Sequence, residues 1–171
     1  MAGAIPVGMS EIRISRQELD VLSAMGLGSC IGLCMYDPTA RVAGMAHVML
    51  PESRSGSTGS ESLPGKFADT AVPALLQQME RVGASRARLR VAIAGGAEVF
   101  ASSSVSPILA IGRRNAEAVR AAVQRIGLRL TAEDVGGSTG RTVVLEAATG
   151  LVQVRMVGGK AADLVCLGQA R

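Results

Sequence analysis

A cysteine and the chain's only histidine are the side chains best suited to chemistry. Cys30 ends the segment GLGSC over residues 26–30, and His47 follows seventeen positions later. A cysteine reacts as its thiolate, and a neighbouring imidazole is a common base for removing the thiol proton near neutral pH. Because the chain has one histidine, no other imidazole can fill that role. The two residues predict a nucleophile and its general base.

The elements around this pair predict that the two side chains come close together. Residues 31–36 are typical of a buried strand, residues 42–50 are typical of its antiparallel partner, and residues 37–39 predict the turn between them. When this hairpin closes, Cys30 at the start of one strand lies level with His47 toward the end of the other. The thiol and the imidazole are then within plausible reach of each other.

The glycines before the cysteine add a second element of a catalytic site. Glycine allows a tight turn and close approach of a ligand to the backbone. The N–H groups near Gly28, Ser29 and Cys30 could hold the oxyanion of a tetrahedral intermediate. Free cysteine is also among the most buried residue types, so on these residues alone a catalytic and a structural interpretation stay equally open. Another Cys/His acyl-transfer enzyme, such as a transglutaminase or a protease, stays open as well.

The remaining cysteines limit the chemistry that is possible and indicate the cellular compartment. Cys34 is interpreted as a core residue and Cys166 as a core or chain-end residue; with neither a second histidine nor a Cys-x-x-Cys spacing, we expect no metal site. Three cysteines are an odd number and too few for a disulfide framework, which predicts a reducing cytoplasm. Residues 1–15 lack a signal-peptide pattern, and the charge-free run 21–36 is too short to span a bilayer. We expect a soluble protein with no direct membrane insertion.

The composition predicts a single domain over residues 1–171 with an aliphatic core. The chain has 48% hydrophobic residues but no Trp, one Tyr and two Phe. That excludes an aromatic surface on which nucleic-acid bases could stack. The net charge is +4, with arginines dispersed along the chain, so we expect no nucleic-acid partner and consider an acidic protein partner. Residues 52–64 are rich in Ser and Gly and predict a mobile loop, interpreted as a tolerated insertion or as a flap over the substrate.

Hydrophobic periodicity indicates two helices among at least six strands. A helix is predicted within residues 66–82, beginning near Asp69 or Thr70 because Pro73 is tolerated in a first turn, and Asp69 is expected to cap or begin it. A second helix is predicted over residues 115–126. The fold class predicted is α/β (α+β), a mixed β-sandwich flanked by two main helices. Besides the hairpin, strand residues are expected at 12–22, 89–93, 128–132, 142–147 and 151–157.

Residues 26–51, GLGSCIGLCMYDPTARVAGMAHVMLP, resemble the signature of the chemoreceptor glutamine deamidases, the CheD family. The resemblance extends over about residues 20–160, with further blocks at 66–72, 93–97, 114–115, 132–137 and 157–159. It implies a protein-glutamine glutaminase of chemotaxis that hydrolyses glutamine side-chain amides on methyl-accepting chemoreceptors to glutamate and releases ammonia. It implies Cys30 as nucleophile, His47 as base, no cofactor or metal, and the CheC phosphatase as a further partner.

One position departs from the family pattern. The resemblance implies a catalytic threonine six positions before the cysteine, where this chain has Ala24. Alanine has no side-chain hydrogen bond to give, and Ser23 points to the opposite face if the segment is extended. The group that orients the imidazole must therefore come from elsewhere or be absent. The alternative function is a catalytically attenuated module that binds receptors or CheC.

Overall fold

The computed structural model describes residues 3–53, 63–99 and 110–169, which form two mixed five-stranded sheets and two helices. This confirms the predicted α+β class. The strands are β1 (Ala4–Pro6), β2 (Ile12–Ser15), β3 (Val21–Leu27), β4 (Ile31–Asp37), β5 (Val42–Val48), β6 (Arg90–Gly95), β7 (Leu130–Val135), β8 (Arg141–Glu146), β9 (Leu151–Met156) and β10 (Ala161–Cys166). The helices are α1 (Ala68–Arg81) and α2 (Ile111–Arg125).

The two sheets are called outer and inner here, because both helices cover one face of the inner sheet. The outer sheet has the order β1-β3-β8-β9-β10, and the inner sheet has the order β2-β5-β4-β6-β7. Neighbouring strands are antiparallel except for the pairs β1–β3 and β6–β7. The predicted hairpin is confirmed as β4–β5, and its register places Gly32 opposite His47 and Ile31 opposite Val48.

Two apolar layers enclose the inner sheet. One lies between the inner sheet and both helices, and it includes Leu33, Leu75 and Val119. The other lies between the two sheets, and it includes Cys34 and Val143. Every residue of β4 and β5 is buried, because a sheet covered on both faces has no solvent side. The helices thus lie together on one side of the sandwich, so the molecule has three layers.

The first helix begins slightly earlier than predicted. It starts at Ala68, whose N–H donates to Leu50 O at 2.9 Å, and Pro73 is its sixth residue. Asp69 lies in the first turn as expected, but it does not cap the helix. Its carboxylate instead accepts hydrogen bonds from the N–H and hydroxyl of Ser53.

The boundaries of other elements differ from their predicted positions because long-range pairing determines them. The second helix starts at Ile111, four residues before its predicted start, and β7 spans 130–135 where 128–132 was predicted. Strands β1 and β10 were not predicted; each lies at an edge of the outer sheet, where short or exposed segments carry little hydrophobic pattern. Of the predicted loop 52–64, residues 54–62 lie outside the described residues. Neither described helix has the length and apolar character needed to cross a membrane.

Candidate active site

Cys30 and His47 both face the layer between the two sheets. His47 lies on β5 opposite Gly32, and a Cβ atom on Gly32 would lie 2.4 Å from Val143 Cγ1 of the outer sheet. Directly opposite residues of an antiparallel pair point to the same face, so the imidazole also points toward the outer sheet. Cys30 precedes Gly32 by two residues, is half-buried and packs against the same intersheet cluster.

The imidazole is held by a backbone carbonyl. His47 is 3% exposed, and its Nδ1 lies 3.1 Å from the carbonyl oxygen of Val7. A carbonyl can only accept, so Nδ1 carries the hydrogen and Nε2 of the neutral ring has a free lone pair. Nε2 is buried and has no hydrogen-bond partner among the described residues. This tautomer is the one in which Nε2 can act as a base.

A short N-terminal segment places that carbonyl. The Val7 N–H donates to Ser23 O at 2.8 Å, which continues the pairing of β1 with β3 in the outer sheet. Four residues on, the chain has joined the inner sheet, where Glu11 O accepts from the His47 N–H at 3.0 Å. The Ser10 N–H donates to His47 O at the same distance. Residues 7–11 therefore cross from one sheet to the other directly beside the imidazole.

Burial keeps both groups neutral near neutral pH. It lowers the pKa of His47, against the smaller opposing effects of the hydrogen bond to Val7 and the charge of Glu11. Burial also raises the pKa of the Cys30 thiol. The sulfur therefore keeps its proton while Nε2 stays ready to accept one. Cys34 is fully buried, as predicted, and its pKa is raised by burial to about 12, which leaves that thiol inert.

The three carbonyls of residues 28–30 are all held by hydrogen bonds. Gly28 O accepts from the Ala97 N–H at 2.7 Å, Cys30 O accepts from the Gly96 N–H at 2.8 Å, and Ser29 O accepts from Asn115 Nδ2 at 2.9 Å. Each peptide plane is fixed as a result. The carbonyl and N–H of a trans peptide point in opposite directions, so the Cys30 N–H points away from Asn115.

The N–H groups of the same segment are not equivalent. The Gly28 N–H donates to Gly26 O at 3.0 Å. Within residues 3–53, 63–99 and 110–169, the N–H groups of Ser29 and Cys30 meet no protein acceptor. Two donors next to the thiol therefore have no acceptor in the described part of the chain.

Gly95 allows the backbone behind Cys30 to approach closely. Its φ is +124°, and a Cβ atom there would lie 2.1 Å from Cys30 O. No side chain fits at that distance, so the turn at the end of β6 requires glycine. This turn follows the strand residues expected at 89–93, and it supports the cysteine segment.

Ala24 is fully buried in the intersheet layer, on β3 opposite Val143. Ser23 lies on the other face of β3, as the alternation of burial along the strand shows. No hydroxyl of these two residues therefore enters the layer that contains His47. Among the described residues, no group of three or more His, Cys, Asp or Glu side chains could hold a metal ion.

Sequence reasoning gave no role to Val7 or Asn115, although Asn115 belongs to one of the blocks of the family resemblance. Val7 acts through its carbonyl, an atom that every residue has, so no sequence signal could identify it. Asn115 is a polar residue at a buried position of α2, which is the one signal that marks it as unusual.

Comparisons with known proteins agree with each other. A sequence model of the family described as CheD chemotactic sensory transduction matches residues 49–156. The "Probable chemoreceptor glutamine deamidase CheD" of Desulfitobacterium hafniense is 44% identical over 157 residues, covering 92% of this chain and 96% of that protein. A protein of the same name from Symbiobacterium thermophilum is 48% identical, and the alignment covers 89% of this chain and 92% of that protein. Another, from Clostridium novyi, is 43% identical, and the alignment covers 86% of this chain and 94% of that protein.

Among solved structures, the Bacillus licheniformis hypothetical protein YfiH aligns with a TM-score of 0.44 at 14% identity, covering 74% of this chain and 49% of that one. That likeness is too low to support an argument. The sequence relatives carry the conclusion, because they are 43% to 48% identical over alignments that cover 86% or more of this chain. The chain belongs to the CheD family.

Proposed function

We propose that this protein hydrolyses glutamine side-chain amides on methyl-accepting chemoreceptors to glutamate, with Cys30 as nucleophile and His47 as general base. The observation that carries the proposal is the His47 tautomer: the hydrogen bond from Nδ1 to Val7 O leaves Nε2 without a partner among the described residues, in the layer that the Cys30 thiol borders. The substrate class comes from the relatives, whose name is chemoreceptor glutamine deamidase.

The first half of the reaction forms a thioester. Nε2 of His47 takes the Cys30 proton as Sγ attacks the carboxamide carbon, so a C–S bond forms and the carbonyl becomes an oxyanion. The open N–H groups of Ser29 and Cys30 stabilise that charge. His47 then donates the proton to the amide nitrogen, the C–N bond breaks, and ammonia leaves.

The second half restores the enzyme. Nε2 removes a proton from a water molecule as its oxygen attacks the thioester carbon, and the same two N–H groups hold the second oxyanion. The C–S bond breaks, the sulfur takes the proton back from His47, and the product is the glutamate side chain. No redox step occurs, and His47 passes on each proton that it accepts, the first to the leaving ammonia and the second to the Cys30 sulfur.

The Val7 carbonyl supports this assignment despite Ala24. A base in a Cys/His site needs a partner that fixes its ring and its tautomer. The side chain of Ala24 has no acceptor, and the carbonyl of Val7 supplies one from the crossing segment. Within the segment 28–30, Gly28 contributes the turn, since its own N–H is bonded to Gly26 O.

Mass spectrometry of a receptor cytoplasmic fragment tests the proposal. Each conversion of Gln to Glu adds about 1 Da, and the gain should occur with the unaltered protein and disappear with Cys30→Ala. Cys34→Ala is the matched control, because that cysteine faces the same layer but is fully buried; it should retain the gain. A gain with Cys30→Ala would contradict the assignment of the nucleophile. Peptide cleavage or amine incorporation would support a different Cys/His enzyme.

The absence of a side-chain hydroxyl at Ala24 keeps the attenuated binding module as a second candidate. If the unaltered protein binds the receptor fragment without converting it, the binding module is favoured, and Ala24→Thr becomes the next variant to assay.

A CheC partner stays a prediction, to be tested by co-purification. A cytoplasmic location is part of the proposal and is supported by the three free thiols.

A further inference from the structure

We propose that Asn115 is a positioning residue that fixes the cysteine segment relative to the histidine strand and aims the Cys30 N–H at the substrate oxygen. The proposal rests on the function proposed above and adds a role outside the Cys/His pair. Asn115 lies in α2, on the opposite side of the inner sheet from the outer sheet, and touches neither sulfur nor imidazole through any hydrogen bond.

The side chain bridges the two functional segments. Its Nδ2 donates to Ser29 O at 2.9 Å and to Met49 O at 2.8 Å. Ser29 directly precedes Cys30, and Met49 follows His47 by two residues. Both acceptors are carbonyls, so the amide must point its nitrogen toward them, and both of its hydrogens are used.

This bridge continues the hairpin beyond its last backbone pair. The β4–β5 register ends at Ile31 opposite Val48, one residue short of Cys30. Past that point the strands separate, and the Asn115 amide supplies the next hydrogen-bonded connection between them. The Asn115 side chain therefore links the cysteine segment directly to the residue that follows the end of β5.

The helix that carries Asn115 is itself fixed against the cysteine segment. A Cβ atom on Gly112 would lie 2.5 Å from Gly96 O, so the first turn of α2 packs directly on the turn that follows β6. That turn holds the carbonyls of Gly28 and Cys30 through the N–H groups of Ala97 and Gly96. With Asn115 on the carbonyl between them, three consecutive peptide planes are set by one assembly.

The buried amide of Asn115 carries an energetic cost. The residue is fully buried, and its Oδ1 has no hydrogen-bond partner within the described parts of the chain, which is unfavourable for an amide oxygen. An aliphatic side chain would avoid that cost but would leave the carbonyls of Ser29 and Met49 without this donor. The amide is the group that can hold both carbonyls, which is the geometry the site needs.

The test compares three variants by two readouts. Asn115→Ala removes the bridge, and Asn115→Asp keeps the shape but replaces the donor with a group that has no N–H when ionised. Val119→Ala is the matched control, because Val119 is a fully buried residue of the same helix whose contacts are apolar. In receptor deamidation, both Asn115 variants should lower kcat by about tenfold or more with little change in KM, and Val119→Ala should leave kcat within about twofold.

The second readout needs no receptor. The alkylation rate of Cys30 by iodoacetamide is measured against pH by peptide mass spectrometry, with half-buried Cys166 as the internal reference. At neutral pH the reaction needs His47 to take the proton, whereas at high pH the thiolate forms without it. In the Asn115 variants, the ratio of the Cys30 alkylation rate at neutral pH to the rate at high pH should fall about tenfold. The Cys166 rate should not change.

The outcomes separate this proposal from the proposed function. If no preparation deamidates receptors but Asn115→Ala changes the Cys30 profile, the positioning role holds and the substrate assignment fails. If kcat and the Cys30 profile match those of the unaltered protein, the positioning role is overturned. If neither Asn115 variant folds, NMR of the unaltered protein decides: a side-chain NH₂ protected from solvent exchange supports the bridge, and rapid exchange overturns it.

Discussion

At the scale of single residues, the base of this site is oriented by a backbone atom. A side-chain partner can rotate away or be lost by one substitution, whereas the Val7 carbonyl is fixed by hydrogen bonds at both ends of its segment. The ring is also shielded, since His47 is almost fully buried. Orientation and burial together give a neutral imidazole with one nitrogen free, which is the form a general base requires.

The single histidine makes that form directly measurable. ¹⁵N NMR of the imidazole should find Nδ1 protonated and Nε2 unprotonated at neutral pH, and the pKa should lie below its ordinary value because the charged ring is poorly solvated. The urea-unfolded chain serves as the control and should titrate normally. A protonated Nε2, or a pKa at or above that of the unfolded chain, would contradict the arrangement around Val7.

The same shift has a consequence for stability. The folded pKa of His47 lies below the unfolded one, so on acidification the unfolded chain takes up the proton first. The free energy of unfolding should therefore fall as the pH drops below the unfolded value of about 6.5.

What the sequence could predict at this scale was local. Cys30 and His47 face one layer because both follow from the period-two alternation of a hairpin recognisable from residues 31–50. Their catalytic roles stay predictions, as do those of Gly28 and Ser29. Val7 reaches His47 because β1 pairs with β3, and Asn115 reaches Ser29 because α2 packs on the inner sheet. Neither contact follows from residue types along the chain.

At the scale of elements, the β4–β5 hairpin that carries the site is closed at its far end by Asp37. This carboxylate is fully buried and accepts hydrogen bonds from the N–H groups of Thr39, Ala40 and Ser85 and from the Arg88 guanidinium. Burial alone would raise the pKa of Asp37, but Arg88 and these N–H groups lower it to about 2. The hairpin turn and the segment before β6 are thereby joined at one ionised group.

Asp37→Asn should lower the free energy of unfolding at neutral pH by about 2 kcal/mol, because the favourable interactions of the ionised form are lost. In the unaltered protein the folded pKa is below the unfolded one, so this stabilisation is present above about pH 4 and is lost as the pH falls toward 2. Urea unfolding at several pH values measures both effects. The exposed Asp163→Asn is the control; equal pH dependence in the two variants would refute the role of Asp37.

Element boundaries were predicted where the hydrophobic pattern was strong. The hairpin and both helices were found from their periodicity, and both helices end within one residue of their predicted ends. The starts of α1 and α2 differed from prediction because contacts with Leu50 and Gly96 determine them. The parallel pairs β1–β3 and β6–β7 join segments that are distant in sequence or weakly patterned, so the sheet orders could not be predicted.

At the scale of the whole molecule, one buried arginine ties the two sheets together. Arg141 of β8, in the outer sheet, is 2% exposed, and its Nη1 donates to the carbonyl and the carboxylate of Asp134 at 2.7 and 2.6 Å. Asp134 lies on β7 of the inner sheet. Nη2 also contacts the Gly136 and Thr139 carbonyls in the turn between the two strands.

Arg141→Met should lower the free energy of unfolding by about 2 to 3 kcal/mol, because several carbonyls and one carboxylate lose their donor in a buried setting. The value lies below the usual cost of breaking a buried pair because Asp134 is about one-third exposed and can be rehydrated. Urea unfolding measures the change. Arg155→Met, on an exposed position of the neighbouring strand, should cost little; a loss as large as that of Arg141→Met would show that the tie between the sheets is unimportant.

The prediction of one domain over residues 1–171 stays a prediction. Composition and length supported it, and the described residues place both sheets and both helices around two adjoining apolar layers. The three-layer order was beyond the sequence, since a helix that packs on either face of a sheet has the same amphipathic pattern.

The pairing of β3 with β8 also determines when the site can exist during synthesis. β3 leads into Cys30, yet its antiparallel partner follows more than a hundred residues later. On the ribosome, the thiol and the imidazole emerge on a local hairpin, whereas the strand β8 that pairs with β3 is made about a hundred residues later. Non-local pairing must first overcome the entropy of closing that long loop, so it is a late event. A nascent chain that stops before Arg141 lacks the strands β8, β9 and β10 of the outer sheet, so the layer around His47 cannot close until those strands have been made.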